Sequence, residues 1–194
     1  MNKDTRLQLC YDAGNRWLNL LATVADAHGP DPVERLRDTT RLAEWLHHEM
    51  DTDADLPVTE ADLAFARTVR DTLRSLATSA IDGEAPDSDA VAEADRVWHG
   101  YQAPQLFVAD KRLSYTAPTS VSAAMACVVR EAVTCLAGGG HEKLRRCAEP
   151  DCRAIFLDPT GRRRWCPSGR CGVKARVRAH RERAKAVRPV AKAR

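Results

Sequence analysis

Apolar side chains recur at intervals of three and four residues through most of the first 140 positions, which is the period of an amphipathic α-helix. Breaks rich in Gly, Pro and Asp separate these stripes. The pattern therefore predicts a mainly α-helical N-terminal domain. The predicted apolar stripes run over residues 17–24, 42–46, 65–80, 91–101 and 121–136.

Helix ends are marked by residues with known capping chemistry. Asp38 precedes the second stripe, so a short helix is expected to begin near it. Thr59 followed by Asp62 has the spacing of a capping box, so a long helix is expected to begin there. Gly83 and the triple glycine 138–140 follow apolar stripes, as C-terminal glycines do. We take Gly140 as the boundary of the N-terminal domain.

One segment of the body has the pattern of β-structure. The short apolar runs 106–108 and 113–116 lie on either side of 109–112, a spacing that is typical of a β-hairpin. This is the one strand signal in the body, so the predicted domain is helical with one short β-hairpin.

Charge is divided unequally along the chain. Residues 1–140 hold 13 Lys/Arg against 22 Asp/Glu, whereas residues 141–194 hold 17 against 5. A basic end on an acidic body indicates a polyanion as the partner of that end alone. No apolar run approaches the roughly 20 residues of a membrane span, and the N-terminus leads into no signal-peptide core. We therefore expect a cytoplasmic, nucleoid-associated protein without a membrane partner.

Four of the seven cysteines form two close pairs, C-x4-C, thirteen residues, C-x4-C. Two pairs across a short insert suit tetrahedral zinc, because each pair can supply two thiolates from one tight turn. Four thiolates leave no open coordination position, so one structural zinc is predicted. Four free core cysteines are the alternative, and Cys10, Cys127 and Cys135 are expected to be buried free thiols. The predicted zinc ligands are Cys147, Cys152, Cys166 and Cys171.

The insert between the ligand pairs contains a turn sequence. Residues 154–157 and 163–165 lie on either side of 158–161, Asp-Pro-Thr-Gly, which predicts a hairpin between the pairs. Residues 173–185 contain no Pro or Gly, so a helix is expected to carry the second pair at its start. A knuckle, a hairpin and a ligand-bearing helix resemble a treble-clef finger.

Helical spacing places cations on two sides of this C-terminal helix, and Val173, Val177 and Ala184 on another, where they are expected to pack on the hairpin. Arginine suits phosphate and guanine recognition, so a nucleic-acid surface is predicted here; a solvated basic tail is the alternative. The predicted nucleic-acid-binding residues are Arg162, Arg163, Arg164, Arg170, Lys174, Arg176, Arg178, Arg181 and Lys185.

With these motifs in view, the chain resembles the CGNR zinc-finger family, whose members pair an N-terminal ABATE domain with such a finger. The family's Cys-Gly-Asn-Arg is here Cys171-Gly172-Val173-Lys174, so the asparagine amide is absent. The resemblance implies a bacterial, stress-responsive transcription regulator with four cysteine ligands and a DNA-contacting helix. The matching segments are Leu144-Arg145-Arg146-Cys147, Pro150-Asp151-Cys152, Phe156-Leu157-Asp158, Arg163-Arg164-Trp165-Cys166 and Cys171-Gly172.

These observations predict a helical ABATE-like domain over residues 1–140, a zinc finger over 141–186 and a disordered basic tail over 187–194. We expect a DNA-binding regulator, not an enzyme, with DNA as the partner of the finger and a small-molecule or protein effector for the body. A homodimer is left open, since no heptads mark an interface. The alternative function is an RNA-associated or protein-interaction adaptor. A thiol-based sensor is a third.

Overall fold

A computed structural model of the chain describes residues 6–52, 56–102 and 104–187, and nearly all of its core belongs to helices. Within that part of the chain, no helix combines the length and the apolar character needed to cross a bilayer. The elements, in order, are α1 (Arg16–Leu21), β1 (Val24–Ala25), β2 (Val33–Glu34), α2 (Thr39–Met50), α3 (Glu60–Asp82), α4 (Ser88–Gly100), β3 (Leu106–Ala109), β4 (Arg112–Tyr115), α5 (Val121–Ala137), a 3-10 turn (Gly140–Lys143), β5 (Leu144–Arg146), β6 (Ile155–Leu157) and α6 (Arg170–Val187).

Side-chain caps fix the starts of the long helices, as the sequence predicts. Asp38 accepts a hydrogen bond from the backbone N–H of Arg41 at the start of α2. Thr59 and Asp62 form both halves of the capping box at the start of α3. Gly83, at φ +70°, ends α3 in the left-handed conformation that glycine adopts without a steric penalty.

The core lies where α3, α4 and α5 pack against one another, with α1 and α2 laid against α3 and α5. Trp17 and Trp45 contribute the largest side chains, and both are completely buried. Around them the predicted stripes of α1, α2, α3 and α5 supply most of the buried leucines and valines. The mainly helical fold class is thus confirmed.

A second pair of strands, which the periodicity did not predict, crosses the end of α1. Val24, predicted as part of the first helix, lies instead in β1 and pairs with Glu34 of β2. Arg70 of α3 is 4% exposed, and it binds this pair through Thr23 Oγ1 at 3.0 Å and Glu34 Oε1 at 2.8 Å. A strand of two residues is too short to show an alternation of apolar and polar side chains. We infer that contacts with α3 determine the position of β1 and β2.

The predicted hairpin is present as β3 and β4, and one of its faces is entirely apolar. The cross-strand pairs Leu106–Tyr115 and Val108–Leu113 make up that face, and all four side chains are more than half exposed. The hairpin therefore adds little to the core. Val91 on α4, the first residue of the predicted stripe, is likewise exposed, because Ala90, Ala94 and Val97 provide the buried face of that helix.

The C-terminal module packs directly on the helical body. Leu144 of β5 and Ile155 of β6 are buried in the same apolar core as the helices. The backbone N–H of Leu157 donates to the carbonyl of Ala13 at 2.9 Å, and Arg146 donates two hydrogen bonds to Asp82 at the end of α3. The division at residue 140 stays a prediction. Of the predicted tail, residues 188–194 lie outside the described residues, and Val187 is the last residue of α6.

Gly14 of the body lies directly against Leu157 of the module. Its φ is +125°, and a Cβ added there would lie 2.7 Å from Leu157 Cβ. We expect Gly14→Ala to destabilise the zinc-loaded protein by about 2–4 kcal/mol, from backbone strain and overpacking. Denaturant unfolding followed by far-UV circular dichroism measures this change. Gly100→Ala is the matched control, since a Cβ there meets open space, and it should be neutral or slightly stabilising. If the two substitutions changed the stability equally, the close contact between Gly14 and Leu157 would be contradicted.

Candidate metal centre and basic surface

The four predicted ligand cysteines converge on one point. Their Sγ atoms all lie within 4.8 Å of one another, in a largely buried cluster. The Sγ atom of Cys166 is 3.9 Å from that of Cys152 and 3.7 Å from that of Cys171. A zinc ion with four sulfurs at about 2.3 Å requires sulfur–sulfur distances of roughly 3.8 Å, so the cluster fits tetrahedral zinc.

The first pair is held by a knuckle that follows β5. The backbone N–H of Cys147 donates to the carbonyl of Ala154 at 2.8 Å. The backbone N–H groups of Cys152 and Arg153 both donate to the backbone carbonyl of Glu149 at 3.0 Å. Arg153 adopts φ +44°, which turns the chain sharply after the second ligand. Both sulfurs of the pair thereby point to the same side.

The strand after this knuckle pairs with a different partner from the predicted one. Residues 155–157 form β6, which pairs with β5 in the register Leu144–Leu157, whereas 163–165 form no strand. The expected hairpin between the ligand pairs is therefore wrong. Asp158 closes the turn instead by accepting hydrogen bonds from the backbone N–H of Arg163 and from the hydroxyl and backbone N–H of Thr160, which lower its pKa to about 2.

The second pair lies on the turn that leads into α6. The carbonyl of Arg164 accepts from Ala148 N–H at 2.8 Å, which brings this segment beside the first knuckle. Cys171 lies in the first turn of α6, as predicted. The ring of Trp165 packs on the cluster together with Phe156, which is completely buried. A small apolar core thus surrounds the sulfurs.

Hydrogen bonds to sulfur prepare the cluster for a cation. The backbone N–H of Cys166 donates to Cys147 Sγ at 3.4 Å, and Ser168 Oγ lies 3.2 Å from Cys166 Sγ. Hydrogen bonding from Cys152 lowers the pKa of the Cys147 thiol to about 7. The contact with Cys147 raises the pKa of the Cys152 thiol. Four adjacent thiols cannot all ionise without a counter-ion, so zinc binding has to displace protons.

Two arginines lie close to the sulfurs. Zinc with four thiolates carries a net charge of −2, and Arg35 of the body and Arg170 of α6 line a small cavity together with Cys152 and Cys166. Burial, and then the charge of Arg170, lower the pKa of Arg35. Arg35 also donates to the carbonyls of Arg6 and Ala22. The body therefore supplies part of the positive charge beside the metal centre.

The comparisons with known proteins agree with this geometry. The model of the ABATE family, described as "Putative stress-induced transcription regulator", matches residues 14–139, well over half of the chain. The chain belongs to the ABATE family. A second model, the CGNR zinc finger, matches residues 143–184 and contains all four cysteines. No curated protein is significantly similar to the chain. The resemblance drawn from the sequence is confirmed, and so is one structural zinc held by the four cysteines.

The predicted nucleic-acid-binding residues fall into three groups around the CGNR finger. Two of them pair with carboxylates: Lys174 Nζ lies 3.7 Å from Asp26, and Arg178 binds Glu149, which is 1% exposed, at 2.7 Å. Arg170 is partly buried, beside the sulfurs. The remaining six are exposed, and they are Arg162, Arg163, Arg164, Arg176, Arg181 and Lys185.

The apolar side of α6 does not pack on a hairpin, contrary to the prediction. Val173 and Val177 are 49% and 43% exposed and lie in an open groove with Lys174, Arg178 and Arg181. Arg178 is directed to the buried Glu149 of the knuckle, and this ion pair, together with Cys171, sets the direction of the helix. The sequence contains no sign of this pair, because Glu149 looks like one more charged residue of a loop.

Removing one ligand should release the metal and loosen the body as well. We expect Cys166→Ser to lose stoichiometric zinc and to lower the thermal midpoint of the whole chain, because Leu144 and Ile155 belong to the helical core. Metal analysis and circular dichroism measure the two effects. Cys135→Ser, a free cysteine outside the cluster, is the control and should retain zinc. Full zinc content in Cys166→Ser would contradict the metal centre.

Proposed function

We propose that this protein is a transcription regulator that binds DNA through the CGNR finger, while the ABATE domain senses an effector. The family description supports the regulator class. The observation that carries DNA binding is the group of exposed cations on a zinc-fixed module, which includes Arg162, Arg163 and Arg164 on the turn after β6 and Arg176, Arg181 and Lys185 on α6. A rigid cationic surface gains affinity for DNA by releasing condensed counter-ions from phosphate.

The ion pairs of two of these cations, one with the body and one with the knuckle, assign different tasks to them. Arg178 and Lys174 contact Glu149 and Asp26, so they orient α6 and contribute less charge to a ligand. Arg176, Arg181 and Lys185 are free to meet phosphates or guanine edges. We infer that the exposed cations provide most of the affinity.

Val173 and Val177 give the same surface an apolar component. They are exposed among the cations of the groove on α6, where apolar side chains can contact the methyl group of thymine. Val173 stands where the family motif has asparagine, so base recognition at this position would rest on shape and not on an amide. This arrangement favours a helix that lies in the major groove.

A second function, binding of RNA or of an acidic protein, would use the same charges. DNA is favoured because α6 presents its cations on a helix anchored at one end by zinc, a geometry that suits a groove.

A regulator of this kind acts in the cytoplasm at the nucleoid. The homodimer stays a prediction, and the exposed apolar face of the β3–β4 hairpin is the surface we expect it to use.

Sequencing the DNA fragments that the zinc-loaded protein retains tests the proposal. We expect one preferred duplex, bound roughly 10³-fold or more tightly than random sequence, and loss of that preference in Cys166→Ser. A protein that binds every duplex equally, or single-stranded RNA better, would support the adaptor function instead.

The role of the exposed arginines is tested by the salt dependence of binding. We expect Arg176→Ala with Arg181→Ala to lower the slope of log affinity against log salt by about 2, roughly one per lost phosphate contact. Arg112→Ala removes an exposed arginine from β4 of the body and is the control. A slope that changes equally in both variants would place the DNA elsewhere. Fluorescence anisotropy over a salt series is the measurement.

A further inference from the structure

A groove of about 450 Å³ lies between the ends of α3, α4 and α5, apart from the basic surface. Its walls are almost entirely apolar, with Leu76, Trp98, Val133 and Leu136 among them, and Val91 at its edge is 45% exposed. The volume is within the range of about 300–1,000 Å³ that is usual for small-molecule sites. An exposed concave apolar surface of this size is a binding-site candidate.

The charges at the rim of the groove are all of one sign. Glu84 and Asp95 lie there, and none of the described residues that line the groove is Lys or Arg. The surrounding segment 82–95 holds six Asp/Glu and no Lys or Arg. The one basic side chain at the rim is His99, 3.2 Å from Asp95, and both members of that pair are 69% exposed. Such an exposed pair is weak, so a ligand cation can replace the histidine.

We propose that this groove binds a lipophilic cation, a compact apolar molecule that carries one positive charge. The apolar body of the ligand would fill the space between Leu76, Val133 and Leu136. Its charge would face Glu84 and Asp95, beside the ring of Trp98, whose face attracts cations. An anionic amphiphile of the same size would meet two carboxylates and no compensating cation, so the groove discriminates by sign.

The walls of the groove continue into the zinc finger. Leu76, Ser79 and Ala80 belong to the last turns of α3, and Asp82 at its end accepts two hydrogen bonds from Arg146, the residue before the ligand Cys147. Helix α5 also ends in the groove, and the chain then enters β5 through the 3-10 turn. A ligand there would contact both helix ends that hold the finger. That the ligand acts as an effector rests on the proposed function; the binding itself does not.

Two ions of the same shape and opposite charge test the site on the full-length, zinc-loaded protein without DNA. We expect tetraphenylphosphonium to bind at least roughly tenfold more tightly than tetraphenylborate, as measured by calorimetry and by quenching of tryptophan fluorescence. Glu84→Gln with Asp95→Asn should weaken phosphonium binding roughly 3- to 10-fold. Asp89→Asn removes an exposed acid of the same helix that does not line the groove, and it is the matched control.

Four results would overturn the proposal. The first is equal binding of the borate, and the second is equal weakening by Asp89→Asn. The third is unchanged phosphonium affinity in Ala137→Phe, which places a ring in the groove from an exposed position. The fourth is a dimer that dissociates as phosphonium binds, measured by sedimentation of the same samples. That result would show that a second copy of the chain covers the groove. Failure of these tests leaves DNA binding, measured separately, unaffected.

Discussion

Zinc–sulfur coordination is the interaction on which the C-terminal part of the molecule depends. Two strands of three residues and a few buried side chains bury too little apolar surface to order the segment from 144 to 171 by themselves. Four thiolates on one ion tie the knuckle after β5 to the start of α6. The position of the basic helix is therefore set at its first turn by the metal.

The same centre is built into the body rather than connected to it by a linker. Leu144 and Ile155 are part of the helical core, the Arg146–Asp82 pair joins β5 to the end of α3, and Arg35 lies beside the sulfurs. Metal binding and body stability are consequently coupled, because the same residues contribute to both. A change at the end of α3 can therefore reach α6 through β5 and the metal centre.

The basic and the acidic surfaces of the molecule lie at separate places. Asp26 of the body and Glu149 of the knuckle pair with Lys174 and Arg178, whereas Arg176, Arg181 and Lys185 of α6 stay exposed. Further acids gather around the groove between α3, α4 and α5. The polyanion and the small cation that we propose as ligands would thus bind at separate places without competing for the same charges.

The sequence alone determined the features that depend on neighbouring residues. The capping box at Thr59, the glycine stop at Gly83, the stripes of the long helices and the four ligands of the zinc site all follow from local spacing. Tertiary contacts decided the rest. β6 pairs with β5 while Asp158 closes a separate turn after β6. Arg178 pairs with the buried Glu149 while Val173 stays exposed. Each of these contacts joins residues from different segments of the chain. Periodicity carries no information about which distant residue offers the better contact.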